Sequence, residues 1–124
     1  MVNIEIIDTG APKAGPYNLG LKAGNLIFIS GQVPDQEVEG IKEQTLSALE
    51  KIKKVLEAAG ANIRNIVKIG VYLKNTDDFK KMNEAYKDFF EENGVLEKFP
   101  TRTTIQAKCP LPTALVEIDA IAVI

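Results

Sequence analysis

The sequence predicts a single α+β domain in which two helices pack on one face of a mixed β-sheet. Its 124 residues fit one compact domain, and no linker or internal repeat divides them. Two stretches place apolar residues at helical spacing, and short β-rich runs precede, separate and follow them. The predicted element order is β-ββ-α-β-α-ββ, and residues 1–124 form one domain.

The first half of the chain predicts three short strands and one helix. Residues 2–7 form a strand, and residues 17–21 pair with residues 26–30 as a hairpin. Residues 41–59 form the first helix, because their apolar side chains recur every three to four positions up to Gly60.

The second half predicts a strand, the second helix and two further strands. Residues 66–73 form the strand, and Thr76 caps a helix whose first turn carries two aspartates at the positive end of its dipole. Residues 101–107 and 114–123 form the last strands. The predicted buried stripe of the second helix comprises Phe79, Met82, Tyr86, Phe89 and Phe90.

The strands carry apolar residues on both faces. In the last strand, Val116 and Ile118 face one way while Ile121 and Val123 face the other. Two helices cover only one face of such a sheet, and an exposed apolar second face is a large adhesive patch. We therefore expect a homo-oligomer, the alternative being a monomer whose sheet curls on itself.

Composition excludes several kinds of chemistry. There is no His and one Cys, which rules out His-based triads and His- or Cys-rich metal sites. An enzyme of this composition must work with carboxylates, Arg, Lys, Tyr, hydroxyls and backbone groups. The net charge of −2 argues against general nucleic-acid binding. The short apolar runs and the absence of a signal-peptide pattern favour a cytoplasmic protein that contacts no membrane.

One carboxylate pair stands out in the last strand. Glu117 and Asp119 lie two residues apart, so they share a face with apolar neighbours. A carboxylate placed there needs a cationic or hydrogen-bonding partner, and Arg102 is the nearest candidate in sequence. If the last two strands pair, an Arg–carboxylate site lies on the sheet. The alternative is a salt bridge at the rim of an oligomer interface.

Other polar residues also interrupt the apolar pattern. Asn83 borders the stripe of the second helix, either as a buried structural amide or as a ligand contact. Tyr17 follows a rigid loop and either donates to a ligand or packs. Ser30 and Gly31 end a strand, at a turn or at a close backbone approach. Cys109 lacks an activating base and is read as a packing residue, with a thiol sensor as the alternative.

Several short strings of the sequence, taken together and in order, resemble the RidA/YjgF family of reactive enamine/imine deaminases. The similarity spans nearly the whole chain. The strings include Gly15-Pro16-Tyr17, Ser30-Gly31-Gln32-Val33-Pro34, Gln44-Thr45, Met82-Asn83, Phe99-Pro100-Thr101-Arg102 and Leu115-Val116-Glu117-Ile118-Asp119.

The resemblance implies a chorismate-mutase-like fold and a homotrimer with clefts between subunits. The implied activity is hydrolysis of 2-imino acids and their enamine tautomers, such as 2-aminoacrylate, 2-iminopropanoate and 2-iminobutanoate, to 2-oxo acids and ammonia. This activity would protect other enzymes from reactive intermediates. It needs no metal or organic cofactor, and its partners are a small imino or 2-oxo acid and further copies of the chain.

The resemblance also assigns roles to single residues. Arg102 matches the family's carboxylate-binding arginine, whose forked guanidinium suits a carboxylate. Glu117 matches the glutamate that holds the attacking water. The remaining matched cleft positions are Tyr17, which we group with Glu117 as catalytic, and the substrate-binding Ser30, Gly31, Asn83 and Thr104.

Three other functions remain open at this point. A trimer that binds 2-oxo acids without turnover would use Arg102 in the same way. Some relatives are described as translation inhibitors or ribonucleases, although the acidic balance and missing His argue against an RNA-directed role here. A chaperone-like role for exposed apolar clefts is also compatible with the sequence.

Overall fold

The computed structural model describes residues 2–124, which form one six-stranded sheet with two α-helices. The predicted element order is confirmed, with a short 3-10 helix before β4 (Ile63–Asn65) and another before α2 (Thr76–Asp78). The strands and helices are β1 (Ile4–Ile7), β2 (Gly20–Ala23), β3 (Leu26–Gln32), α1 (Ile41–Ala58), β4 (Ile66–Leu73), α2 (Phe79–Glu92), β5 (Thr101–Gln106) and β6 (Val116–Val123).

The strands lie in the order β1-β2-β3-β6-β4-β5. Only β5 is parallel to its neighbour, which makes the sheet mixed, as predicted. The prediction that the last two strands could pair is wrong, because β4 lies between β5 and β6. Helix α2 carries the chain across the sheet and returns it in the same direction, so β5 adds to the outer side of β4 as a parallel strand.

Both helices pack on one face of the sheet, as predicted. The core between the layers contains Ile69 and Ile118 from the sheet, Leu49 and Ile52 from α1, and Phe90 from α2, all fully buried or nearly so. In β6, buried and half-buried residues alternate over the whole strand. This alternation confirms the predicted division of its side chains between two faces.

The other face of the sheet carries an apolar row that is open in the single chain. Ile6, Leu21, Phe28 and Ile121 are cross-strand partners in register on four neighbouring strands, so they form one row. Ile6 is 68% exposed and Phe28 is 42% exposed. The sheet therefore does not curl to bury this row, and the monomeric alternative leaves an apolar face in water.

Three local predictions differ from the structure. The strand predicted over residues 17–21 begins at Gly20, because the backbone N–H of Tyr17 is turned to the carbonyl of Gly15 at 3.0 Å rather than to a neighbouring strand. The side chain of Thr76 forms no cap, since a 3-10 turn precedes α2. Phe79 is 45% exposed rather than buried, because it lies beside the outermost strand β5, beyond which no further strand covers it.

Candidate functional site

The first group of predicted site residues surrounds a cleft at the ends of β3 and β6. The cleft has a volume of about 530 Å³. We call it the Glu117 cleft, and it is lined by Ala14, Tyr17, Ser30, Gly31, Val33, Pro110, Leu111 and Glu117. The structure thus brings four sequence-predicted residues together, namely Tyr17, Ser30, Gly31 and Glu117.

A bulge in β3 makes room for the Glu117 carboxylate. Ile29 pairs with Ala120 and Gln32 pairs with Ile118, so two residues of β3 oppose one residue of β6. The two bulged residues are Ser30 and Gly31. A Cβ built on Gly31 would overlap the carboxylate of Glu117, so only glycine allows this approach.

The hydroxyl groups of the Glu117 cleft are fixed by the loop that precedes β2. Ser30 Oγ donates to the carbonyl oxygen of Asn18 at 2.6 Å, which leaves its lone pairs directed elsewhere. Tyr17 Oη accepts from the backbone N–H of Ala14 at 3.2 Å. Its O–H is therefore still available as a donor, and the Tyr17 side chain is 43% exposed.

Gln44 anchors the segment that leads into β6. Its Oε1 accepts from the backbone N–H of Leu115 at 2.7 Å, and its Nε2 donates to the carbonyls of Val38 and Thr113 at 3.1 Å each. The amide is buried, and all of its hydrogen bonds go to backbone groups. No role of its own was predicted for Gln44, although a polar residue on the apolar face of α1 was the available signal.

Asp119 and Cys109 both lie near Glu117, and Asp119 has its own hydrogen-bond partner. Tyr72 Oη donates to Asp119 Oδ2 at 3.0 Å, and this hydrogen bond raises the pKa of Tyr72. Asp119 therefore pairs with a phenol rather than with Arg102. Burial raises the pKa of the Cys109 thiol, and the neighbouring Glu117 charge acts in the same direction. The thiol is protonated at neutral pH and is buried, in agreement with a packing role.

The second group of predicted residues lies at the other side of the sheet, between α2 and β5. We call this depression of about 380 Å³ the Arg102 pocket; it is lined by Asn83, Tyr86, Lys87, Phe99, Pro100 and Arg102. Arg102 Cζ lies 4.8 Å from the ring centroid of Tyr86 and 5.7 Å from that of Phe79. Among residues 2–124, no carboxylate lies within 4.0 Å of this guanidinium.

Three buried polar atoms on α2 and β5 also have no hydrogen-bond partner within residues 2–124. They are Asn83 Oδ1, Tyr86 Oη and Thr104 Oγ1. Thr104 lies two residues beyond Arg102 on the same face of β5. Unpaired polar atoms of this kind are costly unless something else satisfies them, so their clustering marks the region between α2 and β5, rather than each single atom, as a place where a ligand or another chain would bind.

Arg102 and Glu117 lie on opposite faces of the sheet. Arg102 is in register with Ile69, which is fully buried under the helices. Glu117 is in register with Tyr72 and alternates with the buried residues of β6, so it faces away from the helices. The sequence-based expectation of one Arg–carboxylate site on one face is therefore wrong for a single chain, because register and an intervening strand separate the two groups.

Two further features bear on the class of protein. Among residues 2–124, no group of three or more His, Cys, Asp or Glu side chains has an arrangement that could hold a metal ion. Within the same residues, neither helix combines the length and the apolar character needed to cross a membrane.

Comparison with known proteins connects these observations to a family. The family model described as Endoribonuclease L-PSP matches residues 9–124. A RutC family protein of Pyrococcus horikoshii is 43% identical over 126 residues, which cover 95% of this chain and 96% of the relative. TdcF of Escherichia coli, provisionally named a reactive intermediate deaminase, is 39% identical over 96% of each chain.

Solved structures give the same result at the level of the fold. The crystal structure of E. coli TdcF with bound serine has a TM-score of 0.88 and 37% identity, covering 97% of this chain and 98% of that one. The structure of the E. coli YjgF gene product also has a TM-score of 0.88, with 36% identity over 96% of this chain and 98% of that one. The two helices and the six-stranded sheet match those proteins over nearly their whole length, and the chain belongs to the RidA/YjgF family.

Proposed function

We propose that this protein is a hydrolytic deaminase of 2-imino acids and their enamine tautomers, with active sites between the subunits of a homotrimer. Each site joins the Arg102 pocket of one copy to the Glu117 cleft of the next. The observation that carries the proposal is the unpaired guanidinium of Arg102, which lies on the opposite face of the sheet from Glu117. A 2-imino acid held between two copies can place its carboxylate at Arg102 and its C=N carbon beside Glu117.

The chemistry follows from the groups in the two halves. Arg102 binds the carboxylate of the substrate through its forked N–H donors. Water adds to the carbon of the protonated C=N bond while Glu117 accepts a proton from that water. The proton then passes from Glu117 to the amine of the tetrahedral intermediate. Glu117 takes up the proton of the new hydroxyl group as the C=O bond forms and the C–N bond breaks, so that ammonia and a 2-oxo acid leave. The enamine form first gains a proton at its β-carbon, which converts it to the imine.

The other predicted residues complete the walls of this site. Tyr17 offers its free O–H and Ser30 its lone pairs at the nitrogen end of the substrate, while Gly31 allows Glu117 to approach. Asn83 and Thr104 supply the buried polar atoms that lack partners in a single chain. These assignments extend the roles of the matching family positions to this chain.

The open apolar face supports the assembly. The row formed by Ile6, Leu21, Phe28 and Ile121 is buried when copies pack sheet against sheet, which removes apolar surface from water. The number three comes from the resemblance to the family rather than from this face. A closed ring of three places the same two halves together at every interface.

Serine, which is bound in the related TdcF crystal structure, carries the same α-carboxylate as a 2-imino acid. The bound serine favours, as a second candidate, a protein that binds small carboxylates without turning them over. The description of the matching family model, Endoribonuclease L-PSP, suggests RNA cleavage as another function. A net charge of −2 and the absence of His give this chain neither a basic surface for RNA nor the usual general base of a ribonuclease.

A coupled assay tests the proposed function. A pyridoxal-phosphate-dependent dehydratase supplies 2-aminoacrylate from serine or 2-iminobutanoate from threonine, and semicarbazide traps whatever imine remains. We expect the protein to accelerate release of the 2-oxo acid and to reduce semicarbazone formation in proportion to its concentration. Unchanged imine lifetimes, together with calorimetric binding of 2-oxobutanoate, would instead identify a binding protein.

Gly31→Ala is expected to lower kcat by about 10²-fold, because a misplacement of the catalytic group by about 1 Å has an effect of that size. The added methyl group would occupy the position of the Glu117 carboxylate and push it away. Gly15→Ala is the matched control beside the cleft, since its Cβ would meet only the Tyr17 ring at 3.6 Å, an ordinary contact. Full activity in Gly31→Ala would show that Glu117 does not need its present position.

A further inference from the structure

The environment of the Arg102 guanidinium is unusual for a half-buried cation. Its neighbours on α2 are the rings of Phe79 and Tyr86 and the Sδ atom of Met82, which lies 4.0 Å from Nη1. These three residues are spaced i, i+3 and i+7, so they form one face of the helix. Arginine in such a place is ordinarily neutralised by an acidic side chain.

Acidic residues of α2 are close in sequence but are used elsewhere. Glu84 pairs with Lys42 of α1 at 2.8 Å, on the solvent side of the helices. Asp88 is exposed and contributes no ion pair to Arg102. The helix therefore presents aromatic rings and a thioether to the guanidinium, and none of its carboxylates lies within 4.0 Å of it.

We propose that Tyr86 is the positioning residue of Arg102: its ring holds the guanidinium in place by a cation–π contact and leaves the full positive charge for the ligand. The inference rests on the proposed function, because it assumes that Arg102 binds the carboxylate of the substrate. Tyr86 is the nearer of the two rings, at 4.8 Å, and is only 5% exposed, so the contact is shielded from water.

An aromatic ring suits this task better than a carboxylate would. An acidic partner fixes an arginine but neutralises it, so a ligand must compete with that partner. The ring attracts the cation through its quadrupole and carries no net charge. The phenol also stays neutral, since burial raises the pKa of Tyr86 to about 12 against the opposing effect of the Arg102 charge.

The hydroxyl of Tyr86 is not part of this role. Tyr86 Oη is buried and has no hydrogen-bond partner within residues 2–124. Its removal takes no hydrogen bond from the chain and leaves the ring in place. Tyr86→Phe is therefore the conservative variant, while Tyr86→Leu removes the ring and keeps an apolar side chain in the core.

Two measurements on the full-length protein test the inference. In the coupled imine assay and in calorimetric titration with 2-oxobutanoate, we expect Tyr86→Phe to stay within about twofold of the unmodified protein. Tyr86→Leu should raise both the Kd for 2-oxobutanoate and the KM by about 5- to 20-fold, which corresponds to the loss of one shielded cation–π contact. The change in kcat should be much smaller. The Arg102 Nε–H resonance in NMR should shift in Tyr86→Leu and not in Tyr86→Phe.

Phe89→Leu is the control for a merely structural effect. Phe89 belongs to the same buried stripe but contacts the edge of Phe90 rather than Arg102. Phe89→Leu should lower the melting temperature without changing the affinity for 2-oxobutanoate. Equal affinity in Tyr86→Leu and the unmodified protein, or a Tyr86→Phe variant as weak as Tyr86→Leu, would overturn the inference.

The same measurements separate this inference from the proposed function. If the unmodified protein binds 2-oxobutanoate but does not hydrolyse imines, the deaminase proposal fails while the affinities and the NMR shift still decide the role of Tyr86. If the unmodified protein binds no 2-oxobutanoate, the inference fails. Arg102 would then bind no carboxylate ligand, and Tyr86 would have no ligand site for which to position it.

Discussion

Arg102→Met should lower kcat/KM for dehydratase-generated 2-iminobutanoate by roughly 10²–10³-fold, because it removes charge-assisted hydrogen bonds to the substrate carboxylate. The decrease in kcat/KM should be similar for 2-aminoacrylate, since that substrate carries the same carboxylate. Arg102→Lys should recover only part of it, because an ammonium group cannot form two parallel hydrogen bonds with a carboxylate.

The folded state should tolerate this substitution. Within residues 2–124, Arg102 has no carboxylate partner that its removal would leave buried and unpaired. Methionine keeps an apolar stem against the Tyr86 and Phe79 rings. The free energy of unfolding should fall by only about 1–2 kcal/mol, the size of the shielded cation–π interaction that is lost.

Arg64→Met is the matched control for Arg102→Met. Arg64 is exposed beside Gly94, in a different surface depression from the Arg102 pocket. Its replacement changes the net charge by the same amount and should leave imine hydrolysis unchanged. An Arg102→Met protein that hydrolyses imines at the normal rate would refute the role of Arg102, and with it the deaminase site described above.

Mixed assemblies should restore activity that neither parent variant has. Arg102→Met lacks one half of the site and Glu117→Gln lacks the other. If each site takes Arg102 from one copy and Glu117 from the next, random trimers of the two variants contain about a quarter intact sites. Co-refolded mixtures should therefore recover up to about a quarter of normal activity, as measured by the coupled assay after native mass spectrometry confirms mixing.

A second mixture serves as the control for this complementation. Gly31→Ala and Glu117→Gln damage the same half of the site, since Gly31 borders the Glu117 carboxylate. No mixture of these two variants contains an intact site, so no activity should return. If Arg102→Met and Glu117→Gln also fail to complement in verified mixed trimers, the site is not shared between copies in the proposed way.

The sequence predicted the fold class and most elements because these depend on local patterns. The strand over residues 66–73 was correct to the residue, and the first helix differs by one residue at its end. The helix stops where predicted because Gly60, at φ 77, adopts a backbone conformation that other residues avoid. The alternation in β6 was also correct, since side chains of a strand point to its two faces in turn.

The arrangement of the site was not predictable in the same way. The sequence named Arg102 and Glu117, but the suggestion that their strands pair was wrong. Strand neighbours are chosen by contacts between residues far apart in the chain, and no local pattern encodes them. Tyr86 illustrates the same limit: its position in a buried stripe was predicted, whereas its contact with Arg102 depends on how β5 lies beside α2.

The amino-acid sequence by itself determined the α+β class, the two amphipathic helices, the two-faced last strand and the absence of His-based chemistry, because each follows from residue types and their spacing. Only the tertiary structure decided that β4 separates β5 from β6, that Arg102 faces the helices and that Glu117 faces the open side. The physical reason is that periodicity fixes which side of a strand is apolar, whereas strand order and register are set by packing between distant segments.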